Sequence, residues 1–401
     1  MHVGFGPIFQ NTAGVLSDLE CYQQELALCD LAEPLGFDSI WEPEHHFTEY
    51  EMTPNVLQFL TYMAGRTKTV KLGSMVVVLP WHDPLRVTEE VTLLDYLSGG
   101  RALFGMGRGL GAIEFGGFNI DMNDTREIFV ESAETIVNAL RTGVIEYDGK
   151  HVKQPRRDIR PAPFKTFEGR TFGAGLSPET MPILAKLGAA PMIFPLKSWE
   201  EVRDTMEMYK KAWIDVRPDV VPPKCTLVSF AYVNKDPRKA EEAARKYIGG
   251  YLRTVVKHYD LGGENLSNTK GYDFYAKQAA QFRGAALEEK VESYIELMPW
   301  GTPDQYLEKL QKIDGMIDMG AAIMHFAFAG MPYDMGQENM RLFAKEVLPE
   351  LKKWDKGPFG EAKKYPRGEA KEFADAGISE EVSAWTKSLD NSAKAGNIPL
   401  S

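Results

Sequence analysis

Three cysteines in 401 residues, Cys21, Cys29 and Cys225, are too few for a disulfide framework. Cys21 and Cys29 fall on one expected helix, separated by about 12 Å of rise, which is beyond disulfide reach. No C-x2-C pair exists, which argues against a zinc site built on thiolates. Such sparse usage fits a reducing, cytoplasmic compartment. Basic charge is also short. The formal net charge is -11, the wrong sign for a general nucleic-acid-binding surface. No run approaches the roughly 20 apolar residues that cross a bilayer, so no membrane association is expected. The start, Met1-His2-Val3-Gly4-Phe5-Gly6, lacks the basic region and long apolar core of a secretory signal. No G-x-G-x-x-G stands at the first strand-to-helix turn, which weakens an open dinucleotide-binding sheet.

What is present is an alternation of apolar strands and amphipathic helices. Hydrophobic residues are 44% of the chain, enough for a large core. Strands are expected at 3–9, around Ser39-Ile40-Trp41, and at 71–79, 101–105, 171–175, 191–194, 226–233 and 321–329. The run from Lys71 to Leu79 is apolar without alternation, the mark of a parallel strand buried on both faces. Helices fall between the strands. Ser17 with Glu20, and Ser198 with Glu201, form capping boxes. Tyr22, Leu26 and Cys29 give a helical stripe. Ser177-Pro178 predicts a helix start with serine as N-cap. Eight such units predict an α/β fold, a (β/α)8 TIM barrel, over residues 1–353; an open doubly wound sheet shares the alternation. Residues 143–169 read as an inserted loop. Residues 258–300 read as a long functional lid or mobile connection. Residues 354–401 read as a polar C-terminal extension outside the barrel, with a helix at 380–388.

Three strand ends carry chemistry. Trp41-Glu42-Pro43-Glu44-His45-His46-Phe47 packs two acids, two imidazoles and two aromatics just past the second strand. It is either a reactive site on the catalytic face of a barrel or a crowded loop with a metal-like look. Gly105-Met106-Gly107-Arg108-Gly109-Leu110-Gly111 offers close backbone approach and a cationic fork suited to phosphate, or a flexible loop with a solvated arginine. Gly173 to Thr180 ends a strand and opens a helix whose N–H groups, with the Ser177 and Thr180 hydroxyls, could hold an anion. Together these favour a phosphate-bearing ligand. A flavin fits, as does any other flat phosphorylated group.

Several stretches resemble the luciferase-like flavin monooxygenases. They are Glu44 to Glu49, Gly65 to Gly73, Leu93-Leu94-Asp95, Arg108-Gly109-Leu110, Asp121-Met122-Asn123, Gly271-Tyr272-Asp273-Phe274 and Gly301-Thr302-Pro303. The likeness runs from residue 1 to about 353. It implies a (β/α)8 barrel that takes reduced FMN from a separate flavin reductase. It also implies dioxygen activation through a flavin hydroperoxide and oxygenation of a small organic substrate of the aldehyde or ketone class. By position, His45 is implied as the catalytic acid–base, supported by Glu44. Arg108, Arg126, Ser177 and Thr180 are implied as FMN phosphate ligands. Met75-Val76 is implied as a cis peptide under the flavin ring, and Glu114 as an acid near it. The 258–300 stretch is implied as the lid, and a homodimer, or a heterodimer, as the assembly. Gly107 and Gly111 replace a cysteine and a tyrosine, and Pro195-Leu196 replaces an aromatic position. These losses argue against light emission and a long-chain aldehyde, and the glycines are expected to open space over the ring. Two other readings accompany the first: a deazaflavin-dependent oxidoreductase of the same superfamily, and a non-catalytic flavin-binding protein.

Overall fold

The computed structural model describes residues 1–361 apart from Ala13, Leu176 and Gln278; the helix expected at 380–388 lies outside them. Eight strands form its centre: β1 (His2–Phe5), β2 (Ser39–Glu42), β3 (Lys71–Ser74), β4 (Ala102–Gly107), β5 (Thr171–Ala174), β6 (Ala190–Ile193), β7 (Cys225–Phe230) and β8 (Met319–His325). Each pairs in parallel with its neighbours in the chain. The pairing of β8 with β1, with His2 opposite Ala321 and Phe5 opposite Met324, closes the ring. The fold is thus the expected (β/α)8 barrel, and all strand C-termini share one rim.

Helices cover the outside, and the capping boxes at Ser17–Glu20 and Ser198–Glu201 are both formed. The first helix, Asp18–Ala32, is rotated from the expected stripe. It buries Cys21, Glu25, Leu28 and Cys29, while Tyr22 and Leu26 are half-buried. The carboxyl of Glu25 reaches the Tyr333 hydroxyl at 3.0 Å, which is how an acid occupies the inner face. Inside the barrel, Trp41, Leu103, Phe172, Met192, Val228 and Ile323 form one packed layer. Below them Phe359 plugs the base, its ring 5.2 Å from Phe172 and 4.3 Å from His2. The described start of the C-terminal extension is therefore anchored, and the Gly360 carbonyl accepts from Lys71 Nζ at 2.7 Å.

Three further expectations are corrected. Residues 143–169 are not simply a loop, because Val144–Asp148 and Lys153–Asp158 pair as an antiparallel hairpin. The strand expected over 71–79 stops at Ser74 and resumes only at Val77–Val78, because Met75–Val76 is a cis peptide that breaks the ladder. The helix expected to begin at Ser177-Pro178 begins at Thr180, since the Ser177 and Pro178 carbonyls accept from Thr180 and Met181 in a preceding turn. Residues 258–300 are largely helical, ending in Gly284–Leu297. Leu261, Leu266, Tyr272, Phe282, Val291 and Tyr294 bury this segment against the helix Gly249–Tyr259 in a second apolar cluster. Among the described residues, no helix is long and apolar enough to cross a membrane.

Candidate active site

The rim of strand ends encloses a cavity of about 260 Å³. Glu44, His45, Met75, Val76, Arg108, Glu114, Arg126, Ser177 and Thr180 all line it. They come from loops after β2, β3, β4 and β5 and from the helices Ala112–Gly117, Thr125–Thr142 and Thr180–Leu187. Residues remote in the chain meet because a barrel brings its strand ends to one place.

One end of the cavity is cationic. Arg108 Nη1 and Arg126 Nη2 donate to a single acceptor, the Gly271 carbonyl, at 2.9 and 2.8 Å. Arg126 Nε is sealed and has no hydrogen-bond partner. The Arg108 guanidinium lies 3.9 Å from the centre of the Tyr272 ring, which fixes its plane. Ser177 Oγ and Thr180 Oγ1 are 2.9 Å apart. Two forks, two hydroxyls and an unpaired buried donor form the donor set that a phosphate monoester would satisfy. Along the floor, Met75, Val76, Ala174, Met192 and Val228 give an apolar bed for a flat ring.

The glycines do not open this bed. A Cβ on Gly107 would lie 2.4 Å from Val76 Cγ2, and one on Gly111 2.3 Å from Glu114 Oε2. The space they vacate is already filled by those side chains. Gly105 and Gly107 are moreover part of β4 rather than of a loop.

The other end is a polar cluster around His45. Its Nδ1 is 2.9 Å from Glu114 Oε1, and the His46 backbone N–H donates to the same oxygen at 3.0 Å. Because a carboxylate accepts, Nδ1 carries the proton. Glu114 also faces His258 Nε2 at 3.5 Å. Burial alone would raise the Glu114 pKa, but the two imidazoles hold it down to about 2. Burial would lower that of His45, but Glu114, Glu51 and Glu44 raise it overall. On the far side of the ring, His45 Nε2 is 3.2 Å from the Tyr259 hydroxyl and 3.4 Å from Glu51 Oε2.

Glu44 bonds elsewhere. It accepts from the Val78 backbone N–H at 2.7 Å and pairs with His46 at 3.2 Å and His82 at 2.5 Å. It thus ties the β2 loop to the resumed strand after the cis peptide.

Glu51, Tyr251, Tyr259 and His258 carry no motif that marks them in the sequence. Glu51 stands six positions after His45, and His258-Tyr259 ends a helix. Only the closed barrel shows that these stretches face one another. A second acid–histidine group, Asp124, Glu127 and His151, lies outside the cavity, and Lys150 and Lys270 already pair with its Glu127.

A family model described as luciferase-like monooxygenase matches residues 1–317. The alkanal monooxygenase alpha chain of Photorhabdus luminescens is 28% identical over 342 residues, covering 84% of this chain and 94% of that one. Among solved structures, the oxygenating constituent of 3,6-diketocamphane monooxygenase of Pseudomonas putida, a type II Baeyer-Villiger monooxygenase in complex with FMN, superposes with a TM-score of 0.67 at 18% identity. That match covers 87% of this chain and 99% of that one. A coenzyme F420-dependent tetrahydromethanopterin reductase of Methanopyrus kandleri superposes at 0.59 with 17% identity, covering 87% and 99%.

Proposed function

Since the chain belongs to the luciferase-like monooxygenase family, we propose that it is a two-component flavin monooxygenase. It takes reduced FMN from a separate reductase and oxygenates a small organic substrate of the aldehyde or ketone class. The observation that carries this reading is a single cavity with a paired-arginine anion site at one end and an imidazole held by Glu114 at the other. When bound, reduced FMN supplies the electrons that activate dioxygen. Arg108, Arg126, Ser177 and Thr180 hold its phosphate, which fixes the cofactor in register with the rest of the cavity. Met75, Val76, Met192 and Val228 bed the ring. Phe194, Leu196, Val255 and Tyr275 give the substrate side an apolar wall that excludes water. His45, with Nδ1 committed to Glu114, exchanges its proton at Nε2.

Replacing Arg108 tests the phosphate end. Arg108→Ala should weaken reduced FMN binding about 10- to 100-fold, the worth of charge-assisted bonds to phosphate. Arg108→Lys should recover only part of this, because an ammonium lacks the fork. An unchanged dissociation constant in anaerobic titration would contradict the assignment. The second reading, a deazaflavin enzyme, draws on the fold likeness to the F420-dependent reductase. Binding of coenzyme F420 with none of FMN in the same titration would favour it.

A further inference from the structure

A proton spent by His45 must be replaced, and the surroundings of its ring restrict where the replacement comes from. Nδ1 is held by Glu114. Nε2 is the one remaining exchange position, and the Tyr259 hydroxyl and Glu51 Oε2 bracket it. Glu51 is almost fully buried and lines the cavity. Its other oxygen accepts from the Tyr251 hydroxyl at 2.7 Å, and the Tyr50 and Tyr251 oxygens are 2.6 Å apart. The hydroxyls therefore form a chain, Tyr50 to Tyr251 to Glu51, with its acceptor end at the carboxyl group.

From this geometry we propose that Glu51 is the proton reserve of His45, a positioning and supply residue on the Nε2 side of the imidazole. After His45 gives up its Nε2 proton, the Glu51 O–H bond breaks and a new N–H bond forms at Nε2. Glu51 is left as a carboxylate, stabilised by the Tyr251 hydroxyl, and regains a proton from solvent before the next turnover. No electrons move and no further reactant is needed.

The electrostatics agree. Burial pushes Glu51 up to about 7, against the pull of His45 and Tyr251, so it holds a proton near neutrality. Tyr259 is a poorer source, because burial and the Glu114 carboxylate push its pKa well above the ordinary phenol range. The ionisable groups around the pair are Glu44, Glu114, His258, Tyr50, Tyr251, Tyr259 and Tyr294. Behind Glu51 stand Glu42 and Glu25, whose pKa values burial also raises. Both Glu42 oxygens and Glu25 Oε2 are sealed without a hydrogen-bond partner. Burial thus disfavours the charged forms of both, and Glu51 is the acid that faces His45 Nε2.

The proposal rests on His45 being the acid–base group of the proposed reaction, yet its first test needs no flavin. In full-length protein carrying labelled histidine, the His45 ring signals are assigned by their loss in His45→Asn and followed against pH. The wild type should titrate in two steps, because one proton is shared between His45 and Glu51. Glu51→Gln keeps the shape and removes the charge. It should give one step with a midpoint lower by about one pH unit or more. Superimposable curves would overturn the proposal. Should Glu51→Gln not fold, Tyr251→Phe carries the test: losing a donor to the carboxylate should move the Glu51-linked step to higher pH, and an unmoved step overturns the proposal. In turnover, Glu51→Gln should lower kcat by about tenfold or more while leaving the Kd for reduced FMN unchanged. A shifted titration with full kcat would make Glu51 an electrostatic neighbour only and would overturn the supply role. Failure of all flavin binding with the titration as described would instead count against the flavin reading.

Discussion

His45→Ala is expected to slow oxygenation by about 10² to 10⁴, the range for loss of a positioned acid–base group. Its affinity for reduced FMN should stay nearly the same. The separation follows from the cavity's layout, because the proposed phosphate contacts belong to Arg108 and Arg126 while His45 sits with Glu114 and Glu51. Removing the imidazole leaves Glu114 short of one partner, but the His46 backbone N–H and the His258 ring still face it. His45→Asn is the better-balanced control, since an amide can still donate to Glu114. Rates are measured on the best substrate from a panel of aldehydes, ketones and terpenes, with reduced FMN supplied chemically. Undiminished turnover in both variants would remove His45 from the reaction. An equal loss of FMN affinity would mean that the residue shapes the cavity rather than moves a proton.

The largest effect on stability should come from a site that touches no ligand. Arg170 and Asp95 form a bidentate pair at 2.7 and 3.0 Å, each about 2% exposed. The guanidinium also donates to the carbonyls of Thr166, Lys165 and Ala102 and lies 4.1 Å from the Phe167 ring centre. Asp95 in turn accepts from the Ala102 backbone N–H. The pair thus bolts the helix Pro84–Leu97 to the entries of β4 and β5. Arg170→Met leaves a carboxylate buried without a counter-charge, and a broken buried pair costs about 3–5 kcal/mol. The urea midpoint should fall accordingly at unchanged slope. Arg170→Met combined with Asp95→Leu should recover part of the loss, because the stranded charge is gone. A single variant as stable as the wild type would contradict this account of the pair.

Local chemistry made the barrel legible. The capping boxes at Ser17 and Ser198 and the repeated strand–helix alternation are written in neighbouring residues and are found in the structure; the apolar run from Lys71 begins a buried strand, though one that ends at Ser74. What local pattern does not contain is the partner across the cavity. Tyr22 and Leu26 satisfy a helical stripe as well as Cys21 and Leu28 do, and only the neighbouring Tyr333 decides that Glu25 faces inward. Ser177-Pro178 has the chemistry of a helix start, yet a tight turn takes those carbonyls first. The segment 258–300 reads as polar and irregular because its apolar residues are spaced for three short turns and one helix. The same limit applied to the site. His45 and Arg108 stand in recognisable motifs, and Glu114 is reached only through the position the family resemblance implies. Glu51, Tyr251 and Tyr259 gain meaning only from distances across 200 or more residues of chain, as in the Tyr251–Glu51 bond.

The most direct test of the flavin-monooxygenase reading is to aerate the protein after loading it anaerobically with photoreduced FMN, following the return of oxidised-flavin absorbance. A cavity that grips the phosphate and shields the ring predicts a return much slower than that of free FMN, and loss of the delay in Arg108→Ala. Return at the free-flavin rate in the wild-type protein would contradict the account.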